Sequence, residues 1–335
     1  MESTRALLAA AVERLAASGV PSPRVDAELL LAHVTGRDRG LLRMAGTNVS
    51  EDEAARFDEL LGQRAARIPL QHLTGRAPFR HLELRVGPGV FIPRPETELV
   101  VDHVLRFLAG DPHDPSRADG PGPVVVDLCT GSAALAISIA TERPGSRVVA
   151  VEVSPSAVEW ARANVADQSA QLARAGSVVD LIAADATTVA APGEPLESMR
   201  GRADVVVSNP PYVPDSALPR EPEVRDHDPG RALYGGPDGL DVVRPLAEQA
   251  AALLRPGGLL LIEHADAQGE DAGPAGVPGV LRGQFEDYPL SGSGCSPADG
   301  GGVEVPVWHA VTDHLDLAGK PRITSAVRGP GRMAP

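Results

Sequence analysis

The first seventy residues carry apolar positions at helical spacing, for example Ala11, Leu15, Leu30 and Leu31. Apolar residues three and four apart lie on one face of a helix, so this spacing predicts amphipathic helices. We therefore predict a small bundle of three or four helices over residues 1–70. Such a bundle is either a scaffold or a docking module for a macromolecular partner.

The apolar period changes to two after residue 71. Leu82, Leu84 and Val86 alternate with charged residues, which is typical of a strand with one buried face. Gly87-Pro88-Gly89 then offers a turn, and the apolar residues that follow it offer a second strand. We predict a β-hairpin over residues 71–94 that links two domains.

Short apolar runs then alternate with helical stretches over residues 95–329. This order favours a mostly parallel sheet with helices on both faces. The fold class expected is α/β and Rossmann-like. The predicted strands are 124–126, 148–151, 179–182, 205–207 and 259–262, and the predicted helices are 96–108, 133–141, 156–166 and 240–254.

The tail of the chain departs from this alternation. Residues 273–283 are too rich in Gly and Pro for a firm helix, and residues 290–302 resemble a flexible insertion. Residues 305–311 and 323–327 are expected to pair as an antiparallel edge of the sheet. Residues 330–335 are expected to form a disordered tail.

Charge, cysteine content and the lack of long apolar runs indicate the partners and the compartment of the protein. The formal net charge of −14 disfavours binding to phosphate backbones, so we expect no direct contact with nucleic acid. Cys129 and Cys295 alone give no disulfide framework, which fits a reducing compartment. Glu2, Arg5 and Glu13 interrupt the first apolar stretch, which is unlike a signal peptide. No uncharged apolar run reaches the roughly 18 residues that span a bilayer, so we predict a cytoplasmic protein that is not bound to a membrane.

Three predicted strands end in residues that suit a nucleoside. The first leads into a turn of small residues, which lets the backbone approach a ligand and precedes a helix N-terminus: Cys129, Thr130, Gly131, Ser132 and Ala133. Glu152 ends the next strand, where a carboxylate accepts hydrogen bonds from ribose hydroxyls. Asp185 follows the third strand and is placed to accept from an adenine amino group. Each feature alone also fits a tight turn or a solvated charge, but together they favour an adenosine site.

The turn distinguishes between two adenosine cofactors. It lacks the G-x-G-x-x-G pattern that seats a pyrophosphate, which disfavours a dinucleotide. S-adenosyl-L-methionine carries no phosphate and requires only small residues at this turn. The sequence therefore favours S-adenosyl-L-methionine, and we predict no metal.

A fourth predicted strand runs directly into Asn209, Pro210, Pro211 and Tyr212. The nitrogen lone pair of an amide is delocalised, so a methyl acceptor of this kind must be oriented and its hydrogens accepted as charge builds. The Asn209 side-chain carbonyl and the Pro210 backbone carbonyl provide two acceptors. The prolines stiffen the loop, and Tyr212 can stack on a flat group. The alternative is a proline-rich loop with an incidental asparagine.

These motifs resemble the HemK/PrmC family of release factor glutamine methyltransferases over nearly the whole chain. The resemblance includes the Asn-Pro-Pro-Tyr motif and four further segments: 69–75, 91–98, 232–240 and Glu263-His264. It implies a class I S-adenosylmethionine-dependent methyltransferase that methylates N5 of the glutamine in the Gly-Gly-Gln motif of class-1 peptide chain release factors. The helical N-terminal domain would help to hold that protein.

The resemblance also implies roles for individual residues. Residues 129–133, Glu152, Asp185, Ala186 and Asn209 would line the cofactor. Asn209, Pro210 and Tyr212 would be catalytic, and the whole Asn-Pro-Pro-Tyr motif would hold the glutamine.

The chain departs from the family pattern at two places. The family usually has glycine at the position of Ala133, and often at Cys129, so a methyl group at Ala133 is expected to crowd the methionine part of the cofactor. The stretch 273–302 does not look like a regular final helix. This departure concerns one edge of the fold and leaves the expected active site unaffected.

Other functions share parts of this pattern. A glutamine methyltransferase of a ribosomal protein would have the same active site. A DNA adenine methyltransferase also uses Asn-Pro-Pro-Tyr, but would need a basic cleft and a recognition domain. A cofactor-binding homologue with weakened catalysis is the third alternative, with Ala133 as its mark. His264 follows a buried strand, so we expect it to be structural.

Overall fold

The computed structural model describes residues 2–44, 48–110, 122–289 and 302–330. In chain order these residues form β1 (Glu2–Ser3), α1 (Thr4–Ala17), α2 (Pro23–Thr35), α3 (Arg39–Leu42), β2 (Asn48–Val49), α4 (Glu51–Ala65), α5 (Leu70–Thr74), β3 (Arg76–Phe79), β4 (Leu82–Arg85), α6 (Glu98–Ala109), β5 (Val124–Leu128), α7 (Ala134–Glu142), β6 (Arg147–Glu152), α8 (Pro155–Asp167), α9 (Ser169–Ala175), β7 (Val178–Ala183), β8 (Ala203–Ser208), α10 (Pro222–His227), α11 (Gly230–Leu233), α12 (Val243–Leu253), β9 (Leu254–Glu263), α13 (Val277–Arg282), β10 (Phe285–Pro289), β11 (Gly302–Pro306), β12 (Trp308–Leu315) and β13 (Pro321–Arg328).

The chain divides into two units that are interleaved in sequence. The first unit comprises Met1–Ala77, Arg85–Ile92 and Leu218–Pro229. The second unit comprises Pro78–Leu84, Pro93–Ala217 and Gly230–Pro335. The boundaries predicted from the sequence, at residues 70, 94 and 329, stay predictions.

The first unit has a helical core, as the apolar spacing predicts. Leu15, Leu30, Leu31 and Phe57, which lie on α1, α2 and α4, are buried together. The α4 helix begins with a reciprocal capping box at Ser50, which satisfies N–H groups that the helix itself leaves unpaired.

The hairpin lies earlier in the chain than the sequence predicts. Its strands are β3 and β4, so the chain turns between them at Arg80 and not at Gly87-Pro88-Gly89. Arg80 takes a left-handed φ of 53°. Its backbone N–H donates to Glu98 (3.0 Å), and its guanidinium binds Glu142 through two hydrogen bonds of 2.5 and 2.6 Å. Ion pairing therefore fixes this turn without a glycine, and residues 86–94 contain no strand.

The second unit is built on a seven-stranded sheet in the order β12-β13-β9-β8-β5-β6-β7. The five strands from β5 to β9 are parallel, while β13 and β12 run antiparallel at one edge. Apolar residues of α6 and α7 cover one face of the sheet, and those of α12 and α13 cover the other. This is the mostly parallel α/β sheet with an antiparallel edge that the alternation of elements predicts.

Two predictions about the tail need correction. The edge strand was expected over residues 305–311, but β12 begins at Trp308, because β11 pairs with β10 instead. The stretch 273–283 was expected to lack a firm helix, yet α13 forms within it. Its Val277 and Leu281 side chains are fully buried, and Pro278 stands in the first turn, where no helical hydrogen bond is lost.

Some predictions fall on residues that the structure does not describe. These are residues 290–301 of the expected flexible insertion and residues 331–335 of the expected disordered tail. Within the described ranges, no helix is both long enough and apolar enough to cross a membrane. The same ranges contain no cluster of three His, Cys, Asp or Glu side chains that could hold a metal ion.

Candidate active site

The strand order brings the predicted site residues to one edge of the sheet. β5 lies between β6 and β8, and β7 lies beside β6. Glu152 is the last residue of β6, Asp185 follows β7, and Asn209 follows β8. Because these strands are parallel, their carboxyl ends meet beside the turn after β5, which is where open α/β sheets bind ligands.

The turn after β5 is shaped by three left-handed residues. Cys129, Gly131 and Ala133 have φ values of 63°, 57° and 64°. Only glycine adopts this conformation freely, and other residues lose roughly 1–2 kcal/mol there. The glycines that the family resemblance leads us to expect at positions 129 and 133 would therefore have a backbone cause, in addition to the space that a side chain occupies.

Polar contacts fix this turn against its neighbours. The backbone N–H of Thr130 donates to the Val151 carbonyl at 2.9 Å, and the Asn164 amide donates to the Ser132 carbonyl at 3.0 Å. The Asn164 side chain is buried. The turn is thus held on both sides, which compensates for the unfavourable backbone of its two non-glycine residues.

Glu152 is buried and held by three backbone donors. Its Oε2 accepts from the N–H of Gly131 at 2.9 Å, and its Oε1 accepts from Val153 at 3.0 Å and from Ser154 at 2.8 Å. A carboxylate has about four acceptor positions. Glu152 therefore ties the turn to the end of β6 and keeps the capacity to accept a ligand hydroxyl.

Asp185 is exposed and oriented by its own loop. Its Oδ1 accepts from the backbone N–H and the hydroxyl of Thr187, at 2.8 and 2.7 Å. Both bonds fall on Oδ1, so the second carboxylate oxygen keeps its capacity for a ligand donor. The next residue, Ala186, is buried.

Two groups beside the turn have raised pKa values. Asp127, which the sequence reasoning did not include in the site, is fully buried within β5, and burial raises the pKa of its carboxyl to about 7. Its Oδ2 accepts from the Thr130 hydroxyl at 2.5 Å and from the Ala136 N–H at 3.2 Å. Burial, with the nearby carboxylates of Glu152 and Asp127, also raises the pKa of the Cys129 thiol, which therefore stays protonated.

The Asn-Pro-Pro-Tyr motif begins where β8 ends. The Asn209 side-chain amide donates from Nδ2 to the Thr97 hydroxyl at 3.2 Å, so the carbonyl end of that amide faces away from Thr97. The Tyr212 hydroxyl donates to Oε1 of Glu263 at 3.3 Å. Burial and the Glu263 carboxyl raise the pKa of Tyr212, which is therefore a neutral phenol.

Two glycines allow a second segment to support the motif. A Cβ added at Gly235 would lie 2.6 Å from the Pro211 carbonyl oxygen, and one at Gly239 would overlap the Tyr212 carbonyl oxygen. The Gln268 side chain donates to that same Tyr212 oxygen at 2.9 Å. The segment 232–240, recognised in the sequence only by resemblance, thus acts as a backbone support for the Asn-Pro-Pro-Tyr motif.

Sequence reasoning missed the partners of Asn209 and Tyr212. Thr97 and Glu263 are both buried and come from distant parts of the chain. One sign of their importance was present in the sequence. Thr97 lies in the segment 91–98 and Glu263 in the pair Glu263-His264, and both segments contribute to the family resemblance. His264 is fully buried, with Nε2 at 3.0 Å from the Thr324 hydroxyl, which agrees with the structural role expected for it.

The turn and its carboxylates fit S-adenosylmethionine. A Cβ placed on Gly131 would meet no atom within 4 Å, so the turn borders open space. Glu152 offers a fixed acceptor beside that space, and the site presents no phosphate-binding glycine pattern. Together with the mostly parallel seven-stranded sheet, these features define a class I S-adenosylmethionine-dependent methyltransferase.

Comparisons with known proteins identify the family. Residues 6–75 match the PrmC N-terminal domain, and residues 115–220 match the Methyltransferase small domain. The chain is 44% identical to a release factor glutamine methyltransferase of Streptomyces coelicolor over 95% of this chain and 96% of that one. It is 48% identical to one of Mycolicibacterium smegmatis, over 79% and 86% of the two chains. The chain belongs to the release factor glutamine methyltransferase family.

A solved structure shows a more distant likeness. A methyltransferase from Pyrococcus furiosus aligns over 75% of this chain and 90% of that one, with a TM-score of 0.43 and 18% identity.

Proposed function

We propose that this protein transfers a methyl group from S-adenosylmethionine to N5 of the glutamine in the Gly-Gly-Gln motif of class-1 peptide chain release factors. The observation that carries the proposal is the Asn-Pro-Pro-Tyr motif at the end of β8, beside the turn after β5. The relatives named release factor glutamine methyltransferase cover nearly the whole chain and support this choice of substrate.

Residues of three strand ends would hold the cofactor. Glu152 would accept from the ribose hydroxyls, and Asp185 and Ala186 would contact the adenine. The turn from Cys129 to Ala133 would lie against the methionine part, whose carboxylate suits the free N–H groups at the start of α7. When bound, S-adenosylmethionine supplies an electrophilic methyl group on a sulfonium.

The acceptor loop would orient the glutamine amide. The Asn209 carbonyl and the Pro210 backbone carbonyl accept the two hydrogens of its NH₂ group, and Tyr212 stacks on its plane. These acceptors favour the positive charge that builds on nitrogen as the new bond forms. The methylated nitrogen is strongly acidic, so it releases one proton to water without a dedicated base.

The proposal extends to the partner and the compartment. The helical first unit would help to hold the release factor. A net charge of −14 favours a protein surface over nucleic acid as the partner. We place the protein in the cytoplasm, because release factors act in translation and the chain has only two cysteines.

Mass spectrometry of a treated release factor tests the proposal. The purified protein, S-adenosylmethionine and a class-1 release factor should give one added methyl group on the Gly-Gly-Gln glutamine. A release factor with alanine in place of that glutamine should gain none. Methylation of a ribosomal-protein glutamine in its place, or of no substrate despite cofactor binding, would contradict the proposal and support one of the two alternatives.

Asn209→Ala tests the chemistry of the site. Removing one preorganised hydrogen-bond partner at a reacting centre should lower turnover by about 10²–10³-fold, while S-adenosylmethionine affinity by calorimetry stays nearly intact. Gln171→Ala, an exposed amide on α9, is the matched control and should keep full activity. Wild-type turnover by a folded Asn209→Ala protein would refute the assigned role.

A further inference from the structure

The buried carboxyl group of Glu263 lies beside the Asn-Pro-Pro-Tyr motif without belonging to it. Glu263 is 2% exposed and ends β9, the strand paired with β8. Its Oε1 accepts the Tyr212 hydroxyl at 3.3 Å. Among the described residues, its buried Oε2 has no hydrogen-bond partner that meets the usual geometry. A carboxyl group left half-satisfied in the interior is costly, so its presence requires an explanation.

Thr97 connects this carboxyl to Asn209. The Thr97 hydroxyl accepts a hydrogen bond from Asn209 Nδ2 at 3.2 Å, and a hydroxyl has a single proton to donate. The Thr97 hydroxyl also acts on the Glu263 carboxyl and favours its ionised form, so Glu263 is the acceptor that we assign to that proton.

We propose that Glu263 is a positioning residue that decides, through Thr97, which end of the Asn209 amide faces the substrate. A carboxylate at Glu263 takes the Thr97 proton. The Thr97 oxygen then accepts from Asn209 Nδ2, which leaves the Asn209 carbonyl for the substrate NH₂ group. A proton donor at position 263 reverses the direction of both hydrogen bonds. Thr97 then accepts from position 263 and donates to the Asn209 oxygen, so Asn209 presents its own NH₂ group to the substrate. The inference rests on the proposed function, which requires an acceptor at that place.

The charges around Glu263 place its protonation in the neutral range. Burial raises the pKa of the Glu263 carboxyl to about 7, and the Glu96 carboxylate acts in the same direction. The Arg322 guanidinium on β13, together with the Thr97 and Tyr212 hydroxyls, opposes that rise.

Three further titratable groups lie nearby. Arg94 acts on the Tyr212 phenol, and the neighbouring imidazole of His264 lies 3.3 Å from Asp313. The active form has Glu263 ionised, so turnover should rise as pH increases through about 7.

The experiment compares Glu263→Gln, Thr97→Val and the double variant in release-factor methylation. In Glu263→Gln the side-chain carbonyl keeps the Tyr212 hydroxyl, which leaves the NH₂ group to donate to Thr97. Thr97→Val removes the hydroxyl. Each change should therefore lower kcat by about ten- to a hundredfold. The KM for S-adenosylmethionine should stay within about twofold. Both changes break the same chain of hydrogen bonds from Glu263 through Thr97 to Asn209, which we call the relay. The double variant should therefore be no less active than the poorer single variant. Thr97→Ser keeps the hydroxyl and should retain most activity.

The pH profile separates positioning from mere structural support. Wild-type kcat should rise through about pH 7, whereas that of Glu263→Gln should be flat over the same range. Glu248→Gln, an exposed carboxylate on α12, is the matched control and should keep the wild-type profile. Additive losses in the double variant, or an unchanged profile for Glu263→Gln, would overturn the proposal.

A spectroscopic measurement tests the relay without relying on activity. The NMR signals of the Asn209 side-chain NH₂, assigned from their loss in Asn209→Ala, should shift near pH 7 in the wild type and stay fixed in Glu263→Gln. If the wild type fails to methylate release factors but shows this shift, the proposed function fails and the relay stands. If methylation occurs and the signals do not move with pH, the relay fails alone.

Discussion

Ala133 combines a left-handed backbone with complete burial at the start of α7. Ala133→Gly should relieve about 1 kcal/mol of backbone strain. The greater freedom of glycine in the unfolded chain offsets most of that gain. We therefore expect a small change in melting temperature and S-adenosylmethionine affinity that is equal or higher.

Ala134→Gly provides the matched comparison for that substitution. Ala134 is the first residue of the same helix and has no positive φ, so glycine there should destabilise the fold by about 1 kcal/mol. Thermal unfolding and calorimetry measure both effects. Clearly weaker cofactor binding by folded Ala133→Gly would show that the methyl group contributes to the site.

Glu152 holds three backbone N–H groups and is also our proposed ribose acceptor, so its substitution should affect both stability and cofactor affinity. Glu152→Ala removes the proposed ribose acceptor, and a charge-assisted hydrogen bond contributes about 1.5–3 kcal/mol. That loss corresponds to about a ten- to hundredfold weaker affinity. The melting temperature should fall as well, because the Gly131, Val153 and Ser154 N–H groups lose their acceptor.

The control for this change is Glu159→Ala on α8. Glu159 is an exposed carboxylate paired with Arg162, and such pairs contribute little to stability. The control should bind S-adenosylmethionine as the wild type does. Unchanged affinity in Glu152→Ala would remove Glu152 from the cofactor site.

At the scale of elements, α10 is held in the first unit by a buried ion-pair network. Glu223 binds Arg67 through hydrogen bonds of 2.7 and 2.6 Å and pairs with Arg64 at 2.8 Å. Arg64 also binds Asp26 at 2.8 Å and is almost fully buried. Breaking such a network leaves a buried charge without its partner.

Glu223→Gln should therefore destabilise the first unit by about 3 kcal/mol. Burial raises the pKa of Glu223, but hydrogen bonds from Arg67 and Arg64 outweigh it and lower the pKa from 4.5 to about 2. The stabilisation by Glu223 is thus fully present above pH 4.5 and is lost as pH falls towards 2.

Chemical denaturation at several pH values measures that loss. The difference between the wild type and Glu223→Gln should shrink as pH falls from 4.5 towards 2. Glu221→Gln, an exposed carboxylate at the start of α10, should show little effect. A constant difference over this range would contradict the assigned ion pairing.

The elements differ in how well the sequence predicted them. The strands of the parallel sheet are continuous apolar runs, so the hydrophobic pattern predicted their positions. The alternation of strands and helices predicted a parallel sheet, which brings Glu152, Asp185 and Asn209 to the same edge. The hairpin turn was misplaced because Arg80 is fixed by distant carboxylates, which no local pattern reveals. Thr97 and Glu263 meet Asn209 and Tyr212 only after the strands are arranged, so sequence reasoning could not assign their contacts.

At the scale of the whole molecule, two buried carboxyl groups link stability to pH. The pKa values of Asp127 and Glu263 rise from 3.8 and 4.5 to about 7. Between the ordinary pKa values and the raised value of about 7, the folded protein therefore binds more protons than the unfolded chain. For this reason the two groups lower the free energy of unfolding as pH rises. Burial lowers the pKa of His103, His264 and His314, which gives the opposite trend below about pH 6.5.

Asp127→Asn isolates one of these groups. Between pH 5 and 8 the wild type should lose about 2–3 kcal/mol more unfolding free energy than Asp127→Asn, since each pKa unit corresponds to about 1.4 kcal/mol. Urea unfolding at each pH measures the difference. Asp271→Asn, at an exposed position, should follow the wild type. Parallel curves for the wild type and Asp127→Asn would show that Asp127 is ionised throughout.

The path of the chain through its two units has a consequence for dissecting the protein. The polypeptide enters the first unit at Leu218, shortly after the Asn-Pro-Pro-Tyr motif, and leaves it at Pro229. Deleting the first 77 residues would remove Arg64 and Arg67, the two arginines that pair with Glu223 on α10. A fragment that begins after residue 77 would therefore contain the second unit and an incomplete part of the first. Two separately produced polypeptides, cut near residue 77, would have to complement each other through the stretch 218–229 to restore the native protein.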